Sequence, residues 1–538
     1  TYTGVTTVSA GTLTLDSGAS LASSGFTTAA GATLALNAST TVTTLSGFGN
    51  IQIGSGATLT LNNSTGQSIG SGGASSLAST GAFSGAGTFV KTGTGLLYVQ
   101  GDFSSTTTNV TLSGGSFQFV GSSGADTNAF GTGTITVTAN STLNTFTDAT
   151  RTKSSRLLNA IVVTGGTLAL GTGSGGSGSL TLAGGLTATN AANVTVGGGR
   201  VILESDLAVN GTGAFTLTGG TLQLGNNTAT GSINGGLAFN ATAGSLIFNR
   251  SDNATYSGVF SGTGSLTQAG TGNLTLTSAN TYTGVTTVSA GTLTLDSGAS
   301  LASSGFTTAA GATLALNAST TVTTLSGFGN IQIGSGATLT LNNSTGQSIG
   351  SGGASSLAST GAFSGAGTFV KTGTGLLYVQ GDFSSTTTNV TLSGGSFQFV
   401  GSSGADTNAF GTGTITVTAN STLNTFTDAT RTKSSRLLNA IVVTGGTLAL
   451  GTGSGGSGSL TLAGGLTATN AANVTVGGGR VILVSDLAIN GTGAFTLTGG
   501  TLQLGNNTTT GSINGGLAFS ATAGSLIFNR SDNATYSG

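Results

Sequence analysis

The side chains able to do chemistry in this 538-residue chain are few and scattered. Paired acids come first, because glycan-cleaving enzymes built on parallel β-helices need two or three carboxylates converging on one groove. In the first 280 residues the acids are Asp16, Asp102, Asp126, Asp148, Glu204, Asp206 and Asp252. Only Glu204 and Asp206 lie close in sequence, and an i, i+2 pair shares one face of a strand. A later copy of the same segment carries Val484 in place of Glu204, and an acid that can be dispensed with is a poor catalyst. The acids read as solvated strand-edge and turn groups, and no catalytic residue is assigned. The chain has no His and no Cys. That removes the His-based acid–base pair, the Ser-His-Asp triad and the thiol nucleophile, and it removes the usual zinc, haem and iron–sulfur ligands. GGSGSL at 175–180 lacks the Asp of the GGxGxD calcium loops. Neither a metal nor a cofactor is expected.

One stretch is dense in charge. TDATRTKSSRLL carries Asp148, Arg151, Lys153 and Arg156, and its copy carries Asp428, Arg431, Lys433 and Arg436. It interrupts the Gly-Thr texture and predicts an excursion from the regular structure. The functional reading is a contact with a neighbouring copy of the chain, a glycan or an environmental surface; the plainer reading is a solvated loop. Arg250 and Asp252 read as a turn ion pair. Thr-x-Thr pairs such as Thr58/Thr60 and Thr216/Thr218 put two hydroxyls on one strand face, as an ice-ordering surface does. The uneven spacing of these segments opposes a regular lattice, so they read as β-formers facing solvent. Asn-x-Ser/Thr triplets at Asn37, Asn62, Asn109, Asn140, Asn193 and Asn253 arise readily by chance in a chain rich in Asn, Ser and Thr.

The elements that carry these residues follow from composition and period. There are 98 Gly, no Pro, and only 5% charged residues. The 12 Lys and Arg balance 13 Asp and Glu, which leaves no basic footprint for nucleic acid. No apolar run approaches the 18 residues of a membrane-spanning helix. A Gly followed by two apolar residues two apart recurs at roughly 20–28-residue intervals: Leu13/Leu15, Leu34/Leu36, Leu59/Leu61, Phe117/Phe119, Leu168/Leu170, Leu222/Leu224, Leu246/Phe248 and Leu274/Leu276. A period of two marks strands with one buried face. Stacking one such cycle on the next predicts an all-β parallel β-helix, or β-solenoid, elongated and uncapped within this stretch. The absence of Pro agrees, since every rung donates its N–H groups to the ladder.

A longer period overlies this rhythm. Residues 281–538 restate 1–258 with four changes: Glu204→Val484, Val209→Ile489, Ala229→Thr509 and Asn240→Ser520. We therefore expect two domains, 1–280 and a truncated near-copy 281–538, the second continuing the first without a linker. Duplicated positions should drift where packing permits, so Glu204, Ala229 and Asn240 are expected to be exposed and Val209 at least half-buried.

Residues 246–295 resemble the autotransporter-associated β-strand repeat of bacterial surface proteins. Gly264, Leu266, Gly270, Gly272, Leu274 and Leu276 match its first part, and Asn280, Tyr282, Gly284, Thr286, Gly291 and Leu293 its second. Gln268 stands where the family usually has Lys. A weaker copy keeps Lys91, Gly93, Gly95, Leu97 and Val99, then departs at Asp102 and Phe103. The resemblance implies a right-handed parallel β-helix outside a Gram-negative-type cell. The implied role is a non-enzymatic stalk or adhesin giving reach and attachment, whose partners are neighbouring copies or repeats, a host or environmental surface, or a glycan. A repeat subunit of a self-assembling filament, sheath or surface layer is the alternative; ice binding and glycan processing rank below it.

Overall fold

The computed structural model describes residues 2–70, 82–100, 107–120, 132–145, 155–172, 178–232 and 239–350, then 362–380, 387–400, 412–425, 435–452, 458–514, 519–521 and 523–536. Every described regular element is a strand, and the described strands pair in parallel, from Val5–Val8 on Gly25–Thr28 onwards. The chain forms two compact units, Thr1–Thr271 and Gly272–Gly538.

In the first unit one turn of the coil contributes a strand to each of three sheets. The chain runs Gly25–Thr28, Thr33–Leu36, Thr40–Val42, then returns with Thr44–Gly47 beside Gly25–Thr28. The first sheet stacks twelve strands, from Val5–Val8 to Phe260–Gly262. The third stacks eight, from Thr40–Val42 to Leu207–Gly211. Strands between these include Thr12–Leu15 to Ala82–Gly85, and later Ser155–Leu157 to Ser265–Gln268. The second unit repeats the three-sheet turn, for example Gly305–Thr308, Thr313–Leu316, Thr320–Val322 and then Thr324–Gly327. The expected all-β parallel β-solenoid is what the chain forms.

Alternation places the core. Leu34/Leu36, Phe117/Phe119, Leu168/Leu170, Leu222/Leu224 and Leu274/Leu276 all point inward and are buried. Each stacks on a like residue one rung away, as Phe117 does on Leu97 and Leu143. Leu13 departs from the expectation. It is 39% exposed and pairs with Leu34. Its copy Leu293 lies between Leu274 and Leu314 and is fully buried.

Phe248 lies between Leu224 and Gln268 and is 4% exposed. Phe248→Ala should cost about 3–5 kcal/mol. Urea unfolding checks this, and a loss below about 1 kcal/mol would contradict it.

Candidate functional site

Polar side chains inside the coil hold the corners where one sheet passes to the next. Lys91 ends the strand Thr88–Lys91, two residues after inward Phe89, and is aligned between Leu61 and Leu112 of the adjacent rungs. That parity sends it inward, where it is fully buried. Its Nζ donates to the carbonyl of Gly93, two residues on, and to that of Gly114 at 3.5 Å in the next rung. Burial pulls the amine from 10.5 down to about 8, and its copy Lys371 behaves alike. Gln268 fills the same role without charge: it follows inward Leu266 by two, is buried, and donates from Nε2 to Gly270 O at 2.9 Å. The residue two places after the plug must be Gly. A Cβ at Gly93 or Gly270 would come under 3.0 Å from the backbone of Asn63 or Arg250 in the rung below. The family's usual Lys and this chain's Gln268 are thus one structural device, a donor turned onto a corner carbonyl that water cannot reach.

Arg250 extends the theme. Its guanidinium grips Asp252 with two hydrogen bonds of 3.0 and 2.8 Å, as the sequence predicts, and it also donates to Ala229 O at 2.7 Å. The residue is nearly buried, so it braces a corner and is more than a solvated turn pair. Arg250 holds the Asp252 carboxyl below its ordinary range.

The outer charges are arranged differently from expectation. Arg156 belongs to the strand Ser155–Leu157, paired with Ser179–Leu182, and does not leave the coil. Asp148, Arg151, Lys153 and their copies Asp428, Arg431 and Lys433 lie outside the described residues; Arg436 is on the strand Ser435–Leu437. Arg156 Nε bonds Glu204 Oε2 at 2.9 Å, and Asn226 donates to Glu204 Oε1 at 3.0 Å. Glu204 is therefore half-buried and paired, which corrects the expectation of an exposed acid. The pair reaches across an intervening rung, that of Thr181, which is buried. Asp206 serves another partner, accepting from the backbone and hydroxyl of Ser232. Glu204 and Asp206 thus form no acid pair on a shared substrate position. Ala229 and Asn240 are exposed and Val209 is half-buried, as expected from drift.

Glu204→Val in the first unit should lower stability by no more than about 1 kcal/mol, because a partly solvated ion pair contributes little. Melting curves in low and high salt read the effect; a loss above about 2 kcal/mol would show that the clamp is a principal brace. Sequence reasoning missed this pair because its partners are 48 residues apart. It could have found Lys91, whose distance of two from Phe89 already marks it as inward. The Asn of several Asn-x-Thr triplets also works structurally, since Oδ1 of Asn109, Asn140 and Asn193 accepts a backbone N–H from the next rung.

The second half of the sequence motif forms a small internal network. Asn280 Nδ2 donates to Ser278 O at 2.9 Å. Tyr282 is fully buried, its hydroxyl 2.6 Å from Thr286 Oγ1, and Thr286 bonds Ser303 Oγ, which donates to Gly284 O. Burial raises the Tyr282 hydroxyl well above its ordinary pKa. In the earlier copy the Thr6–Ser23–Gly4 links persist at 2.9 and 2.7 Å, although Tyr2 is exposed and donates instead to Val5 O.

These segments coincide with a known family. Residues 1–15 and 266–295 match the passenger-associated-transport-repeat. The chain carries autotransporter passenger repeats. A stretch of 189 residues is also 36% identical to the adhesin BmaC autotransporter of Brucella suis biovar 1 (strain 1330), covering 34% of this chain. The matched stretch amounts to 5% of that relative's length. No solved structure matches the chain. The corner donor, the crowded Gly and the Tyr–Thr–Ser network give the passenger repeat its physical meaning: each maintains a join between rungs.

Proposed function

We propose that this chain is part of a non-enzymatic passenger displayed outside a Gram-negative cell, where it serves as a stalk or adhesive shaft. The observation that carries the reading is the coincidence of the passenger repeat with the rung joins of an all-parallel ladder. Repeats that only join rungs supply reach, and reach scales with repeat number. The separate engagement of Glu204 and Asp206 supports a role without catalysis. On this proposal residues 281–538 continue 1–280 without a linker, and limited proteolysis should spare residues 259–280. Cleavage there in the native protein would refute continuity. The location is tested by labelling intact producing cells with an antibody raised against residues 1–280. Labelling without permeabilisation is expected; labelling only after lysis would overturn the proposal.

A further inference from the structure

On the outside of the first sheet, Tyr98, Gln118 and Asn144 lie in one column on three successive rungs. Their strand neighbours Leu97, Phe117 and Leu143 are buried in the core, so this column faces outward, and all three residues are half-exposed. Beside it runs a second outward column, Leu96, Ser116 and Thr142, in which Leu96 is 37% exposed. None of these six positions is charged. The second unit carries the same column as Tyr378, Gln398 and Asn424.

We propose that this column binds a neutral glycan. An aromatic ring beside an aliphatic side chain offers an apolar platform for the C–H face of a pyranose. The carboxamides of Gln118 and Asn144 each present both a donor and an acceptor, the pairing that vicinal sugar hydroxyls require. Successive rungs are about 4.8 Å apart, close to the rise of one pyranose along an extended chain, so amides on neighbouring rungs meet neighbouring sugars. The lack of charge at these positions selects a neutral chain over an acidic polysaccharide or a nucleic acid, both of which need cationic partners. A sheet fixed by parallel ladders holds the backbone of the three residues in register, so binding has only side chains to order.

The test titrates purified protein with cellohexaose and chitohexaose, with polygalacturonate as the acidic comparison, by calorimetry. Binding to a neutral hexasaccharide is expected. Tyr98→Ala with Tyr378→Ala should weaken it by about tenfold or more, with circular dichroism unchanged because both rings lie outside the core. Asn144→Ala with Asn424→Ala tests the same column without altering a ring and should also weaken binding. Four results would overturn the proposal: no binding to either neutral hexasaccharide, preference for polygalacturonate, variants that bind like the parent, or a concentration-dependent dimer dissolved by the Tyr substitutions. The assay uses isolated protein, so its failure leaves the cell-surface reading standing, and failure of that reading leaves the assay valid.

Discussion

Lys91→Ala, made together with Lys371→Ala, is expected to destabilise each affected corner by about 3 kcal/mol, whereas the double Gln variant should cost less than about 1 kcal/mol. The Ala change removes the amine that donates to Gly93 O and leaves a hole where a long side chain had filled the corner. Buried carbonyls without donors are costly, and a cavity adds its own term. Gln is a natural answer at this position, since Gln268 already donates to Gly270 O from the equivalent place after Leu266. Amide hydrogen exchange across Phe89 to Leu112 reads the effect locally, which suits a coil whose rungs lean mainly on their neighbours. Equal losses for Ala and Gln would show that volume or charge, and not the donor, is what the corner needs.

The same lysines make stability depend on pH. The folded amine titrates at about 8 against an ordinary 10.5. Between those values the unfolded chain binds more protons than the folded one, so stability rises with pH. The contribution is complete above 10.5 and is lost as pH falls through 8. Denaturation midpoints at about pH 7 and about pH 10 should therefore differ in the parent, with the higher value at the higher pH, and the difference should shrink in the double Gln variant. A parent whose midpoint falls over that range would contradict the assignment.

How much of this was legible in the sequence depended on distance along the chain. The inward pairs could be read because a strand repeats every two residues, so Leu222 and Leu224 declare a shared face by themselves. Whether an outward position is covered by other parts of the chain could not be read that way. The Arg156–Glu204 clamp needed the register of three strands. The steps from Ser155 to Leu180 and from Leu180 to Val201 differ in length, so no fixed period places residue 156 against residue 204. Gln223 is the harder case. It lies between inward Leu222 and Leu224 and so faces out, yet it is fully buried, with Arg200 donating to it and its own Nε2 bonded to Gly225 O. Beyond its own strand, the backbone at Gly231 turns back against Gly225, whose carbonyl Gln223 bonds. Alternation does not reveal such a cover. The passenger motif was legible as a pattern, but the reason for its glycines was not, because the atoms that exclude a side chain belong to the rung below.

That reason makes the sharpest test. Gly270→Val should destabilise its part of the coil by about 3 kcal/mol or more, whereas Gly66→Ala should change stability by no more than about 0.5 kcal/mol. A Cβ at Gly270 would fall under 3.0 Å from the oxygen, nitrogen and carbonyl carbon of Arg250. These are backbone atoms in a ladder, so no rotamer change relieves the clash; the rungs themselves must separate. Separation strains the Gly270 N–H bond to Phe248 O, loosens the Gln268 plug on Gly270 O and shifts Arg250 from Ala229 O. At Gly66 an added Cβ meets nothing within 4 Å, and the residue is exposed. Because coupling along the coil is mainly between neighbours, amides near Phe248 to Leu266 should exchange faster in Gly270→Val while those near Leu97 to Phe119 keep their protection. Loss of protection throughout the unit would mean that it unfolds as one cooperative body. Unchanged exchange at Phe248 to Leu266 would mean that the rung contact does not forbid a side chain at Gly270.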